Sequence, residues 1–355
     1  MAIELGLIEG YYGTPWTWEE RRRVINTLAP HGYGFHIYAP KADAFLRRRW
    51  QEPHPAEEAA ELTSYSAFCR DKGVRFGVGL SPYELYRDFG DEAKTALAAK
   101  LADLDRMGLD DLAILFDDMR GDLPDLAKNQ AEILHWISGK TRASRLIVCP
   151  SYYSDDAILD RVFGQRPDNY LEDLGRLLDP AIEIFWTGEE VCSREYSMGH
   201  LARVTAQLRR KPFLWDNYPV NDGPLMSPYL HIRAMTGRPA SMAGHLSAHA
   251  VNPALQPTLS CLPAITLADS YRDGDAYEYG RALERAATEV LGEQLGQAVC
   301  RNLTQFQGFG LDRLTPDMVS RMLARYTAID HPGAREVVAW LNGDYRMSTS
   351  EVEAS

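Results

Sequence analysis

The sequence predicts an α/β fold, a (β/α)8 TIM barrel with a small C-terminal helical appendage. Three observations carry this. Short β-type runs alternate with longer helical patterns, the signature of repeated βα units and a parallel sheet. The runs number eight, enough to close a barrel. The chain of 355 residues also suits a barrel of ~250 residues with something appended.

The first strand is expected from Leu5 to Glu9. Thr17 to Glu20 reads as a capping box, in which a hydroxyl and a third-position carboxylate satisfy free amides, so a helix starts there and runs to about Leu28. Strands follow at Gly34 to Tyr38, Arg75 to Leu80, Leu112 to Phe116, Arg145 to Cys149, Ile182 to Trp186, Pro212 to Trp215 and Met242 to Val251. Helices between them are expected at Pro55 to Lys72, Asp91 to Met107, Leu126 to Lys140, Asp168 to Leu178 and Ser193 to Arg210. Gly32, Gly73, Gly108 and Gly139 stand where helix C-caps belong. After about Leu267 the strand signal stops. Ala276 to Leu291, Leu295 to Phe306 and Pro316 to Ile329 read as amphipathic helices. The expected division is a catalytic barrel over 1–269 and a helical region over 270–355, with a frayed end from Met347.

Composition narrows the function classes. Hydrophobic residues make up 45% and charged residues 25%, ordinary for a globular protein. The net charge of −12 argues against nucleic acid as a partner, because phosphate contacts need a clustered basic face. The two short basic runs, Arg21 to Arg23 and Arg47 to Arg49, read as solvated faces. The first seven residues lack the basic region and apolar core of a signal peptide, and no apolar run reaches the ~20 residues that span a bilayer. A cytoplasmic protein with no membrane partner is expected. The five cysteines include no CxxC, so no metal site or redox pair is expected, and the sequon at Asn302 carries no weight in a reducing compartment. There is no P-loop, GxSxG elbow or strand-linked GxGxxG, and no cofactor is expected.

In a parallel barrel all strands end on one face, and the loops there build the site. The expected strand ends carry Glu9 to Trp16, Tyr38 to Lys41, the pair Asp117 and Asp118, Pro150 to Tyr153, Trp186 to Gly188, Trp215 to Asp222, and Asn252 with Pro253. Aromatic planes mixed with amides and carboxylates suit a sugar, which offers apolar C–H faces and a ring of hydroxyls. Two adjacent carboxylates in unlike surroundings separate their pKa values, one staying ionised while the other holds a proton near neutral pH. An Asp-Asp pair is also a common cap or turn, the reading given to Asp110 and Asp111 at the other end of the strand. Neighbouring residues fit poorly the two separated carboxyls of a conventional retaining glycosidase. They fit better a reaction in which a 2-acetamido group supplies the nucleophile. Trp136 and Trp340 read as core, Trp215 and Lys41 as binding residues, and His36, His245 and His249 as satisfied strand histidines.

These stretches resemble glycoside hydrolase family 84, the O-GlcNAcase and bacterial hyaluronidase-like β-N-acetylglucosaminidases. The matching motifs are IEGYYGTPW at Ile8 to Trp16, YAPK at Tyr38 to Lys41 with Arg47, Trp50 and Pro53 following, FDD ending at Asp118, WTG starting at Trp186, WDNYPVND at Trp215 to Asp222, and Asn252-Pro253. They stand in the family's order over roughly 1–260. The resemblance implies a retaining exo-β-N-acetylglucosaminidase that cleaves terminal β-linked GlcNAc through an oxazoline. It makes Asp117 the residue that orients the acetamido group and Asp118 the acid and later base. It implies that Tyr153 bonds near the oxazoline, and that Gly10 and Lys41 bind sugar hydroxyls. Asn217, Asp222 and Asn252 would fix the remaining hydroxyls and the acetamido pocket, which Trp215 lines. Tyr152 adjoins Tyr153, and either can be the inward one. Ala42 and Tyr83 depart from the family pattern and put aglycone preference in doubt. The implied partner is a glycan or glycoprotein. Two other readings stay open: hydrolysis of another 2-acetamido sugar, and a catalytically silent glycan-binding barrel. The amphipathic tail offers a surface for pairing two chains as a homodimer.

Overall fold

A computed structural model describes residues 3–350. The eight parallel strands close into a barrel in chain order. They are β1 (Leu5–Ile8), β2 (Tyr33–Tyr38), β3 (Arg75–Leu80), β4 (Asp111–Leu115), β5 (Arg145–Cys149), β6 (Glu183–Trp186), β7 (Phe213–Asp216) and β8 (His249–Val251). The last strand pairs with the first, with Leu5 opposite His249.

Around the barrel lie α1 (Trp18–Leu28), α2 (Ala56–Asp71), α3 (Asp91–Arg106), α4 (Leu126–Ser138), α5 (Ala157–Phe163), α6 (Tyr170–Leu177), α7 (Met198–Leu208), the short turn α8 (Gly223–Met226) and α9 (Pro257–Asp273). The capping box at Thr17 and Glu20 forms as read. The inward rings of β2, β6 and β7 pack on one another: Phe185 and Phe213 have centroids 4.7 Å apart, and Phe35 meets Phe213 edge-on at 5.3 Å. The barrel is therefore a filled core and not a pore.

Three local expectations change. β8 covers only His249–Val251, because Ala240–Gly244 winds into a 3-10 turn before it, and His245 lies outside any strand. Arg21 is not solvated. It is buried and forks onto the equally buried Glu9, at 2.7 and 2.8 Å. Asp111 is neither cap nor turn, since it opens β4, fully buried between Arg75 and Arg145. In both cases long-range pairing sets the environment, which a short charged string does not reveal.

Helix α9 has no exposed face from Leu259 to Ser270. Cys261, Ala264, Ile265 and Ala268 face the barrel core, whereas Leu259 and Leu262 join a second cluster. That second core is built by α10 (Tyr279–Arg301), α11 (Pro316–Thr327) and α12 (Pro332–Asn342), around Leu291, Leu295, Phe306, Tyr326 and Trp340. A helix buried on two sides lacks amphipathic periodicity, so the pattern in sequence is weak. The 269/270 boundary falls inside this helix. The two tail helices expected before Phe306 form within α10, parted by the non-helical Gly292 (φ 75°), and the second ends at Arg301 with a π-helical turn following at Thr304–Phe309. Met347, where fraying was expected to begin, packs partly buried against the barrel core, and 351–355 lie outside the described residues.

Candidate active site

The chain leaves β4 through Phe116 and turns sharply at Asp118, whose φ of 57° is unusual for a residue with a side chain. Strain of this kind persists only where the surroundings enforce it. The turn lets both neighbours reach one pocket, which encloses about 170 Å³. Gly10, Asp117, Asp118, Tyr153, Trp215, Asn217, Asp222 and Asn252 all line it. Lys41 does not line it, but its ammonium bonds Asp117 Oδ2 and lies 3.7 Å from Asp118 Oδ2.

The two aspartates occupy unlike surroundings. One oxygen of Asp117 is taken by Lys41, whereas Oδ1 is buried and has no hydrogen-bond partner among the described residues. Asp118 accepts from the hydroxyl of Tyr12 at 2.8 Å on Oδ2 and from that of Tyr153 at 3.1 Å on Oδ1. Burial would raise its carboxyl, but Lys41, the Tyr12 hydroxyl, Arg47 and the Tyr153 hydroxyl outweigh burial and hold it below the usual range. These partners favour the ionised form of Asp118 in the free pocket. The raised carboxylate is Asp222, pushed up to about 6 by burial, with the Asp118 charge adding and the Tyr12 amide and Lys41 opposing. Burial also works against the charge on Lys41, but Asp117 and Asp118 prevail and keep its ammonium above the ordinary lysine range.

The remaining side chains hold one another. Asn217 Oδ1 accepts from the Trp215 indole and from the Asn252 amide, both at 2.9 Å, and its own amide donates to Val191 O at 2.8 Å. Asn252 Oδ1 accepts from Gly10 N at 3.1 Å. A Cβ at position 10 would lie 2.0 Å from the Trp215 ring, so only glycine lets the first strand end pass that close. Behind Gly10, Glu9 is held down at about 2 because Arg21 and His36 outweigh its burial. Behind Trp215 and Asn217, the buried Asp216 is clamped by both Nη2 and Nε of Arg238, at 2.7 and 2.9 Å, and approached by His249.

Tyr153 is the inward member of its pair, while the Tyr152 hydroxyl donates to Gly164 O at 2.6 Å. Tyr12, Cys149, Thr187, Val191, Cys192 and Val220 also line the pocket and were not singled out from sequence. Tyr12 was legible only as part of an aromatic strand end; its hydroxyl contact joins residues 106 positions apart. A larger groove, about 980 Å³, shares Cys192 and Asn217 with the pocket and runs between the β6 and β7 loops and α10.

Among the described residues no helix is long and apolar enough to cross a membrane. The sequence profile of a beta-N-acetylglucosaminidase family matches residues 5–306. The chain is 28% identical over 276 residues to the protein O-GlcNAcase of Mus musculus and equally to that of Rattus norvegicus, covering 75% of this chain. It spans only about 30% of the length of those curated relatives. A solved mutant of the Thermobaculum terrenum O-GlcNAc hydrolase superposes with a TM-score of 0.78 at 28% identity, over 95% of this chain and 80% of that one. With a closed eight-stranded barrel, paired aspartates at the end of β4 and a profile match across most of its length, this chain belongs to the beta-N-acetylglucosaminidase family.

Proposed function

We propose that the chain is a retaining exo-β-N-acetylglucosaminidase that removes terminal β-linked GlcNAc by substrate-assisted catalysis. The observation that carries this reading is Asp117: a buried carboxylate with one oxygen on Lys41 and the other unpartnered, facing a pocket of single-sugar size. A buried acceptor without a donor is costly by about 1–3 kcal/mol, and an acetamido N–H relieves it.

In this reading the acetamido carbonyl oxygen attacks the anomeric carbon as the glycosidic C–O bond breaks. Asp117 accepts from the acetamido N–H and stabilises the charge of the forming oxazoline. The leaving oxygen takes a proton from Asp118. Water then enters, gives a proton to the Asp118 carboxylate and attacks the anomeric carbon, reopening the oxazoline with net retention. Asp118 must first bind that proton. A sugar hydroxyl that takes a share of Lys41, and a ring that expels water from the pocket, both raise its carboxyl towards the acid form. Tyr153 hydrogen-bonds near the oxazoline, and Gly10, Asp222, Asn217 and Asn252 fix the remaining groups over Trp215.

The groove beyond Cys192 and Asn217 is assigned to the aglycone, in keeping with a glycoprotein substrate. Five free cysteines are in keeping with a cytoplasmic location. The test is turnover of an aryl β-N-acetylglucosaminide by Asp117→Asn and Asp118→Asn. Both are expected to lose at least roughly 100-fold in kcat/KM; unchanged turnover in both overturns the proposal.

A further inference from the structure

The segment after α12 packs against the loops that follow β1 and β7. Tyr345 packs against both hydrophobic clusters, and Arg346 pairs with Asp312. The backbone N–H of Met347 donates to Ser227 Oγ at 3.1 Å, just after α8. Its thioether meets two glycines. The Gly223 N–H points at Sδ from 3.3 Å, and a Cβ on Gly13 would lie 3.0 Å from the same sulfur.

Those glycines are the next residues after Asp222 and Tyr12. Both adopt positive φ, 73° at Gly223 and 100° at Gly13. The Tyr12 N–H donates to Asp222 Oδ2 at 2.7 Å on the pocket side. One sulfur therefore contacts both of the segments that the Tyr12–Asp222 hydrogen bond joins. A thioether suits the position, being flexible, polarisable and a weak acceptor.

We infer that Met347 is a positioning residue for the sugar site, setting the spacing between the Tyr12 and Asp222 loops and so the placement of the Asp222 carboxylate. The inference rests on the sugar-binding role given to Asp222 above. Removing the thioether leaves space behind both glycines, and the loops relax into it. Ground-state binding of the sugar suffers first, through Asp222, whereas the Tyr12 hydroxyl stays tied to Asp118 by its own hydrogen bond and the chemistry after β4 is affected less.

The test measures kcat and KM on an aryl β-N-acetylglucosaminide for the wild-type chain, Met347→Ala, Met347→Leu, Asp222→Ala and the Met347→Ala/Asp222→Ala double variant. Met347→Ala is expected to raise KM about two- to tenfold, the worth of one weakened hydrogen bond, with kcat within about twofold. Leucine restores volume without the acceptor, so its KM should fall between wild type and alanine. In the Asp222→Ala background the alanine change should add nothing to KM, because its route is already gone. An unchanged KM, or effects of the two changes that multiply independently, overturns the inference. A wild-type chain without turnover instead refutes the proposed function, and this inference falls with it.

Discussion

The phenol of Tyr12 donates a 2.8 Å hydrogen bond to Asp118, the residue assigned to proton transfer. Burial, with the Asp118 charge adding, pushes the Tyr12 hydroxyl far above its ordinary range, so it stays protonated and acts as a donor. A hydrogen bond to the ionised form lowers a carboxylate's pKa, and removing it raises that pKa. Tyr12→Phe should therefore keep Asp118 protonated to higher pH. The basic limb of the kcat/KM profile is expected to move up by about one unit, the worth of roughly 1.4 kcal/mol. A profile that keeps its basic limb argues that the contact does not tune the acid.

Acid assistance matters least when the leaving group needs no proton. Asp118→Ala should lose about 100-fold or more on a poorly leaving alcohol and far less on an activated phenol. Comparing kcat/KM across a series of aryl glycosides gives the dependence. Equal losses along the series would assign Asp118 to binding alone.

Asp222 titrates at about 6 and accepts from the Tyr12 amide. Below that pH its carboxyl is protonated and becomes a poorer acceptor for sugar hydroxyls. KM is expected to fall as pH rises through about 6, with Asp222→Asn flattening that part of the profile and raising KM throughout. The same proton has a stability sign. A carboxyl raised above its unfolded value stabilises the fold below that value, and the contribution is lost as pH rises through about 6.

Arg21 and Glu9 form a fully desolvated pair behind the first strand end. Arg21→Met should destabilise the fold by about 3–5 kcal/mol, because it strands a buried carboxylate. Adding Glu9→Gln should recover part of that loss, read as the midpoint of a denaturant titration. Since Glu9 sits low, at about 2, its contribution is present above the ordinary glutamate range and disappears as pH falls through about 2. Additive losses in the double variant would count against the pairing as the cause.

The sequence by itself determined the eight-stranded barrel, because alternation of short apolar runs with capped helices is a local pattern that the chain displays residue by residue. It also placed the polar strand ends, and eight of the nine expected site residues line one pocket, with the ninth, Lys41, bonded to Asp117. Tertiary structure alone decided the rest. It chose Tyr153 over Tyr152, buried Arg21 against Glu9, and hid α9 between two cores. It set Asp118 low and Asp222 high, and it brought Met347 behind Gly13 and Gly223. Each of these depends on partners distant in the chain. Burial and charge are properties of the assembled neighbourhood, which no local window of sequence contains.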